Sequence, residues 1–204
     1  MSQTRHLAPA VAVLALALVA CGNAGTTADG DAAAEADRAA PPATGAPATP
    51  APDAAAAGAS VELSPTQGNQ TAGTLRFAAV DGRIQVTGTV TGLPPGGTHG
   101  FHVHETGDCS APDAISAGGH FNPASSDHGR VGQGAHHAGD SDNIVAGTDG
   151  TAPVEGWLEG ATLGDGAATD IVGKAVIVHA DADDYVTQPT GNAGDRLACG
   201  VIRS

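Results

Sequence analysis

Two histidines two residues apart, in Gly100-Phe101-His102-Val103-His104-Glu105, carry the strongest chemical signal in the chain. The residues around them favour a strand, in which side chains i and i+2 leave the same face. His102 and His104 would then point the same way, close enough to share a metal ion, while Val103 turns to the opposite face and a core. Downstream lie His120 in Gly-Gly-His-Phe-Asn-Pro, His128 in Asp-His-Gly, the run His136-His137-Ala-Gly-Asp140, and His179 in Val-Ile-Val-His-Ala-Asp. One histidine on a strand is commonplace. Several with an aspartate, spread over two loop-like stretches and strand ends, point to metal. Imidazole suits copper and zinc, and an added carboxylate favours zinc.

Short alternating segments must position these residues. Val61 to Leu63, Thr74 to Val80, Arg83 to Val90 and Thr98 to Glu105 read as strands, as do Asn143 to Gly147, Ala152 to Leu158, Gly173 to His179 and Leu197 to Ile202. Asp81-Gly82 and Asp149-Gly150 are hairpin signals. Leu93-Pro94-Pro95-Gly96-Gly97 is a turn that no helix or central strand would tolerate. About eight strands with no amphipathic helix give an all-β class, a sandwich or flattened barrel. Thr106 to Gly139 and Ala180 to Asp195 fit no strand. Loops of that length in a compact domain are usually functional, and these two carry most of the histidines and acids.

Composition narrows the function. Aromatics are few (three Phe, one Trp, one Tyr) and there are 30 glycines, so the core must be Val, Ile, Leu and Ala. Such a fold gains from metals or disulfides. A net charge of -14 argues against a nucleic-acid partner and against charge-driven binding to anionic membranes.

The N-terminus reads as export. Arg5 opens a basic segment, and Leu7 to Ala20 carries no charge, which fits a signal peptide and is too short to span a bilayer. It ends Leu18-Val19-Ala20-Cys21, similar to the bacterial lipobox, after which Cys21 would carry lipid. The alternative is an ordinary signal peptide with a coincidental cysteine. Lipidated Cys21 would leave Cys109 and Cys199 as a pair. Residues 21–59 are Ala-, Pro-, Gly-, Thr- and Asp-rich and read as a disordered tether. The organisation expected is a lipoprotein signal peptide at 1–20, the tether at 21–59 and a folded domain at 60–204. The protein would face the periplasm, anchored to the outer membrane in a Gram-negative cell.

Gly-Phe-His-Val-His-Glu, Gly-Gly-His-Phe-Asn-Pro, His-Ala-Gly-Asp and Gly-Asn-Ala-Gly-Asp-Arg-Leu-Ala-Cys-Gly together resemble the bacterial Cu/Zn superoxide dismutases, from about Ser60 to the C-terminus. The resemblance implies an eight-stranded Greek-key β-barrel, an immunoglobulin-like sandwich with two long functional loops. It implies one copper ion on His102, His104, His120 and His179 and one zinc ion on His120, His128, His137 and Asp140, with His120 bridging. Asp183 matches the aspartate linking a copper ligand to a zinc ligand, and Cys109 and Cys199 match the family disulfide. His99 matches a packed structural position. His136 competes with His137, but the His-x-x-Asp spacing favours His137, leaving His136 to solvent.

The implied activity is disproportionation of superoxide to dioxygen and hydrogen peroxide by alternating Cu(II)/Cu(I), protecting the cell envelope. Arg196 would hold the superoxide anion and His120 would supply a proton. A metal-buffering lipoprotein would lack a copper ligand or Arg196, and a copper-only relative would lack His128, His137 or Asp140; all are present. A homodimer is allowed, though no apolar patch marks an interface. The second loop holds Asp181, Asp183, Asp184 and Asp195 against Arg196 alone, so steering of the anion is expected to be weak. Asp195 is expected to offset Arg196, with Lys174 or Arg130 assisting if the fold brings them near.

Overall fold

The computed structural model describes residues 58–204. Among them are nine strands and one 3-10 turn, Ile115–Ala117, with no α-helix. The strands are β1 (Gly58–Pro65), β2 (Ala72–Val80), β3 (Arg83–Thr91), β4 (Thr98–His99) and β5 (Phe101–His104), then β6 (Ile144–Val145), β7 (Ala152–Leu158), β8 (Ala175–His179) and β9 (Arg196–Val201). The expected signal peptide, Cys21 and nearly all of the tether lie outside the described residues. β1 opens two residues ahead of the expected boundary at Ser60, because Ala59 pairs with Phe77 and is buried in the core.

Alternation governs the sheet. β1 reads exposed-buried throughout, with Ala59, Val61 and Leu63 inward. Seven strands run in the order β5-β8-β9-β1-β2-β3-β7, all pairs antiparallel, and β4 pairs with β6 separately. β1 joins the two halves. Gly58 to Leu63 pair with β2, whereas Ser64 and Pro65 pair with β9. The curled sheet encloses a core of Leu75, Phe77, Val86, Val103, Leu158 and Val178. Asp81 and Gly82 both have positive φ, 49° and 77°, the backbone of a two-residue hairpin turn.

The expected strand over Thr98 to Glu105 is broken at Gly100, so eight expected strands become nine. Gly100 donates its N–H to the Asp181 carbonyl and accepts from the His179 N–H, leaving the β5–β8 ladder to meet the second loop. A Cβ there would press on Ala193 and the His102 ring. The strands expected over Asn143 to Gly147 and Gly173 to His179 are shorter. Asn143 is drawn to the second loop, and Gly173 has φ of 84°.

Both long loops are present, between β5 and β6 and between β8 and β9. A Cys109–Cys199 disulfide ties the first to β9 across 90 residues of sequence. Closing a loop of that order stabilises by about 4 kcal/mol in the chain-entropy description.

Candidate metal centre

Register places the first ligands. His102 lies opposite Ile177 and His104 opposite Ala175 in the β5–β8 ladder. A bulge between Val178 and His179 turns the end of β8. The His99 Nδ1–H donates to the His179 carbonyl at 2.9 Å, so His99 packs behind the site as expected. The first loop folds back on the free edge of β5, where Phe121 donates to the Val103 carbonyl and Val103 to the Gly139 carbonyl. His120 thereby faces His104, and its ring lies 4.0 Å from that of His102, centroid to centroid.

His102, His104 and His179 each have one ring nitrogen engaged and the other turned into the cluster. His102 Nε2–H donates to Asp183 Oδ2 at 2.8 Å and His104 Nδ1–H to the Gly118 carbonyl at 2.9 Å. His179 Nδ1–H donates to the Gly194 carbonyl at 3.3 Å. The opposite atoms, His104 Nε2 and His179 Nε2, face each other at 3.4 Å. His102 Nδ1 and His120 Nε2 are buried with no hydrogen-bond partner, as are His128 Nδ1 and His137 Nδ1. Orphaned buried ring nitrogens are costly unless a ligand takes them.

On the other side, Asp140 collects the remaining groups. Its carboxylate lies 2.8 Å from His120 Nδ1, 3.0 Å from His128 Nδ1 and 3.3 Å from His137 Nδ1. It also accepts from the His137 backbone N–H at 2.7 Å and the Gly129 N–H at 3.2 Å. His128 Nε2–H donates to Asp183 Oδ1 at 3.0 Å, so Asp183 joins His102 to His128 as the motif implies. Gly191, at φ of 64°, passes so close that a Cβ would overlap Asp183 Oδ1. The two sets, His102/His104/His120/His179 and His120/His128/His137/Asp140, are fully buried, and within each set the donor atoms lie within 4.8 Å of one another.

Their electrostatics differ. Burial pushes His102 down to about 4 against the pull of Asp183, and pushes His104 and His179 well below the ordinary range. These rings are neutral, with lone pairs available. Burial also lowers His128, but the close Asp140 carboxylate and the bond to Asp183 outweigh that and raise it to about 9. Asp140 is held far below the usual carboxylate range; burial opposes this, and the His120 and His128 bonds prevail.

Arg196, at the start of β9, is half-buried. Its Nη1 donates to the Ala114 carbonyl at 2.6 Å and its Nη2 to the Gly118 carbonyl at 2.7 Å. It lines a cavity of about 610 Å³ with Thr66, Asn69, Asp113, Ile115 and Asp195. Burial lowers the guanidinium pKa and Asp113 opposes that shift.

One expectation, the exposure of His136, is corrected. Asp195 shares the cavity but forms no ion pair with Arg196, and Asp113 lines the same cavity and opposes the lowering of the guanidinium pKa. Lys174 Nζ is engaged on the Glu105 carbonyl and Arg130 Nε on Asp142. His136 is half-buried, because its Nδ1–H donates to the His137 carbonyl and its Nε2 turns to Glu159 at 3.9 Å. Sequence reasoning missed Asn143 and Gln188. The Asn143 amide accepts from the Asp183 N–H at 2.8 Å and donates to its carbonyl at 2.9 Å. Gln188 does the same to His128. Amides in aperiodic loops carry no sequence signal of this kind.

An antiparallel β-barrel with two adjoining sets of nitrogen and carboxylate donors, sharing one histidine and lacking thiolate, defines a class of two-metal proteins that fits copper beside zinc. Residues 71–202 match the family of copper/zinc superoxide dismutases (SODC), and the chain belongs to it. It is 44% identical over 137 residues to a Superoxide dismutase [Cu-Zn] 2 from Brassica juncea, covering 64% of this chain and 88% of that one. The crystal structure of a SOD-like protein from Bacillus subtilis superposes with a TM-score of 0.63 at 37% identity, over 70% of this chain and 96% of that one. That of the clock protein EA4 gives 0.64 at 39%, over 72% and 93%. The chain is accordingly a superoxide dismutase, an oxidoreductase whose cofactors are copper and zinc.

Proposed function

We propose that His102, His104, His120 and His179 hold the copper of this superoxide dismutase, and that His120, His128, His137 and Asp140 hold its zinc. The observation carrying this reading is the convergence of buried donor atoms within 4.8 Å in each set, with His102 Nδ1, His120 Nε2, His128 Nδ1 and His137 Nδ1 lacking a hydrogen-bond partner. Copper, when bound, supplies one-electron chemistry between Cu(II) and Cu(I), and zinc supplies charge and structure. His120 has Nδ1 on the Asp140 side and Nε2 toward the other histidines, so it would help hold both ions, and Nε2, when released from copper, could instead carry a proton for the product. Arg196 keeps three of its five N–H donors after its two carbonyl bonds. With these it draws in and orients the superoxide anion by charge-assisted hydrogen bonds. Asp183 fixes the tautomers of His102 and His128 together.

The enzyme works, in the same reading, from the cell envelope, lipid-anchored through Cys21, and protects that compartment from superoxide. The support is the uncharged run from Leu7 to Ala20 ending Leu18-Val19-Ala20-Cys21. A disulfide taking up the other two cysteines agrees with an oxidising compartment. Metal analysis with a superoxide-consumption assay tests the first part, with one copper and one zinc per chain expected. Mass spectrometry of the mature membrane fraction tests the second; an unmodified Cys21 would refute the anchor.

A further inference from the structure

His128 is held differently from its partners. His120 is aligned by a bridge to His104, and the His137 N–H is bound by Asp140. The first anchor stands on β5, to which this loop returns, and the second lies in the same loop. Among the described residues, the main-chain groups of His128 bond only to the side chain of Gln188. The Gln188 Oε1 accepts the His128 N–H at 2.8 Å, and Nε2 donates to the His128 carbonyl at 2.9 Å. A side-chain amide carries the donor and acceptor of a peptide group, so this pair imitates a strand pairing across the two long loops. The ring of His128 is gripped from the same loop, by Asp183. Backbone and ring of one residue are thus set by the loop between β8 and β9, 60 residues further along.

We propose that Gln188 is a positioning residue for zinc: it fixes the backbone of His128 so that Nδ1 faces His120, His137 and Asp140, making zinc retention depend on order in the second loop. This rests on the assignment of His128 as a zinc ligand. Linkage makes the effect reciprocal, so zinc in turn orders the loop that carries Gln188. Groups that orient a metal ligand typically matter about 10- to 100-fold in metal affinity. Gln188 is exposed, and water competes for its amide, so the lower end applies.

The experiment measures zinc and copper dissociation constants by chelator competition on the full chain. The variants are Gln188→Ala, Gln188→Glu, His128→Ala and, as a control in the other long loop, Gln133→Ala. Gln188→Ala is expected to weaken zinc about tenfold, leave copper unchanged and alter the visible spectrum of the cobalt-substituted zinc site. Gln188→Glu keeps the acceptor but loses the donor and should fall between Gln188→Ala and the unmodified chain. Gln133→Ala should match the unmodified chain. A merely structural role would weaken both metals together and leave the cobalt spectrum unchanged, and that result overturns the proposal. Unchanged zinc affinity in Gln188→Ala, with zinc lost in His128→Ala, also overturns it while sparing the site assignment. Tight zinc binding in His128→Ala would overturn both.

Discussion

His102, His104 and His179 stand on β5 and β8, whereas His128, His137 and Asp140 stand on the loop between β5 and β6. The first three inherit their positions from sheet register, with neighbours such as Ile177 and Val176 fully buried. Moving any of them requires breaking ladder hydrogen bonds and repacking the core, both costly. The loop residues have no such frame. They are placed by one carboxylate, Asp140, and by amide and carboxylate groups from a second loop. The wall of the barrel therefore preorganises the proposed copper side, while the proposed zinc side is assembled from parts that hold one another. In that assignment zinc would supply a large share of what keeps the assembly together.

The largest effect is expected at the one residue common to both sides. His120→Ala should strip order from both sites and lower the superoxide rate by more than ~100-fold, given that even groups behind a ligand matter 10- to 100-fold. Asp140→Ala should empty the zinc side while copper content stays near one per chain. Metal analysis beside the rate constant checks both. Full copper-dependent activity in His120→Ala would end the bridging assignment, and equal loss of both metals in Asp140→Ala would deny the division between wall and loop.

Proton competition separates the two sides next. His128, raised to about 9, carries a proton near neutrality that zinc must displace, so zinc affinity should climb with pH and level off near about 9. The slope is about tenfold per pH unit for one displaced proton. His102, lowered to about 4, is already neutral there, and His104 and His179 are lowered too, so copper affinity should stay nearly flat. Chelator competition on the metal-free chain at several pH values gives both profiles; parallel slopes would contradict the difference.

What could be read without coordinates follows the same division. Strand periodicity located β2, β3, β7 and the β5 histidines, because burial on one face leaves a period of two in the sequence. Asp81-Gly82 marked its hairpin through the positive φ it must adopt. The grouping of the two donor sets was legible through motif resemblance, since loop residues such as His128 and Asp140 have no periodic signal. The break at Gly100, the half-burial of His136 and the amide grips of Asn143 and Gln188 depend on contacts between distant segments. Nothing local encodes those.

Arg196, to which the proposed mechanism gives substrate guidance, stands on the wall side, on β9. Its guanidinium is steadied by the carbonyls of Ala114 and Gly118, in a loop pinned to the same strand by the Cys109–Cys199 disulfide. Arg196→Ala should lower the rate about tenfold, the worth of one charge-assisted hydrogen bond. The fall with ionic strength should flatten at the same time, because the removed charge is the one that steers. A steep salt dependence persisting in Arg196→Ala would place the steering field elsewhere.

The smallest effect distinguishes two acids around that arginine. Charge near a site raises or lowers encounter with an anion in proportion to how closely it faces the approach. Asp113 and Asp195 line the same cavity, and the charge of Asp113 is the one that opposes the lowering of the guanidinium pKa. Asp113 Oδ1 also accepts the Ile115 N–H at 3.0 Å, a bond that an asparagine oxygen can keep, so Asp113→Asn removes charge while preserving the turn. The rate constant for superoxide should rise about twofold in Asp113→Asn at low salt, and less in Asp195→Asn. The gain should vanish as the Debye length shrinks toward about 3 Å in molar salt. Rate constants against ionic strength for the two variants and the unmodified enzyme decide it. A larger gain from Asp195→Asn would restore the acid beside Arg196 in sequence as the controlling charge. No gain from either would mean that Arg196 and the bound metals dominate the approach.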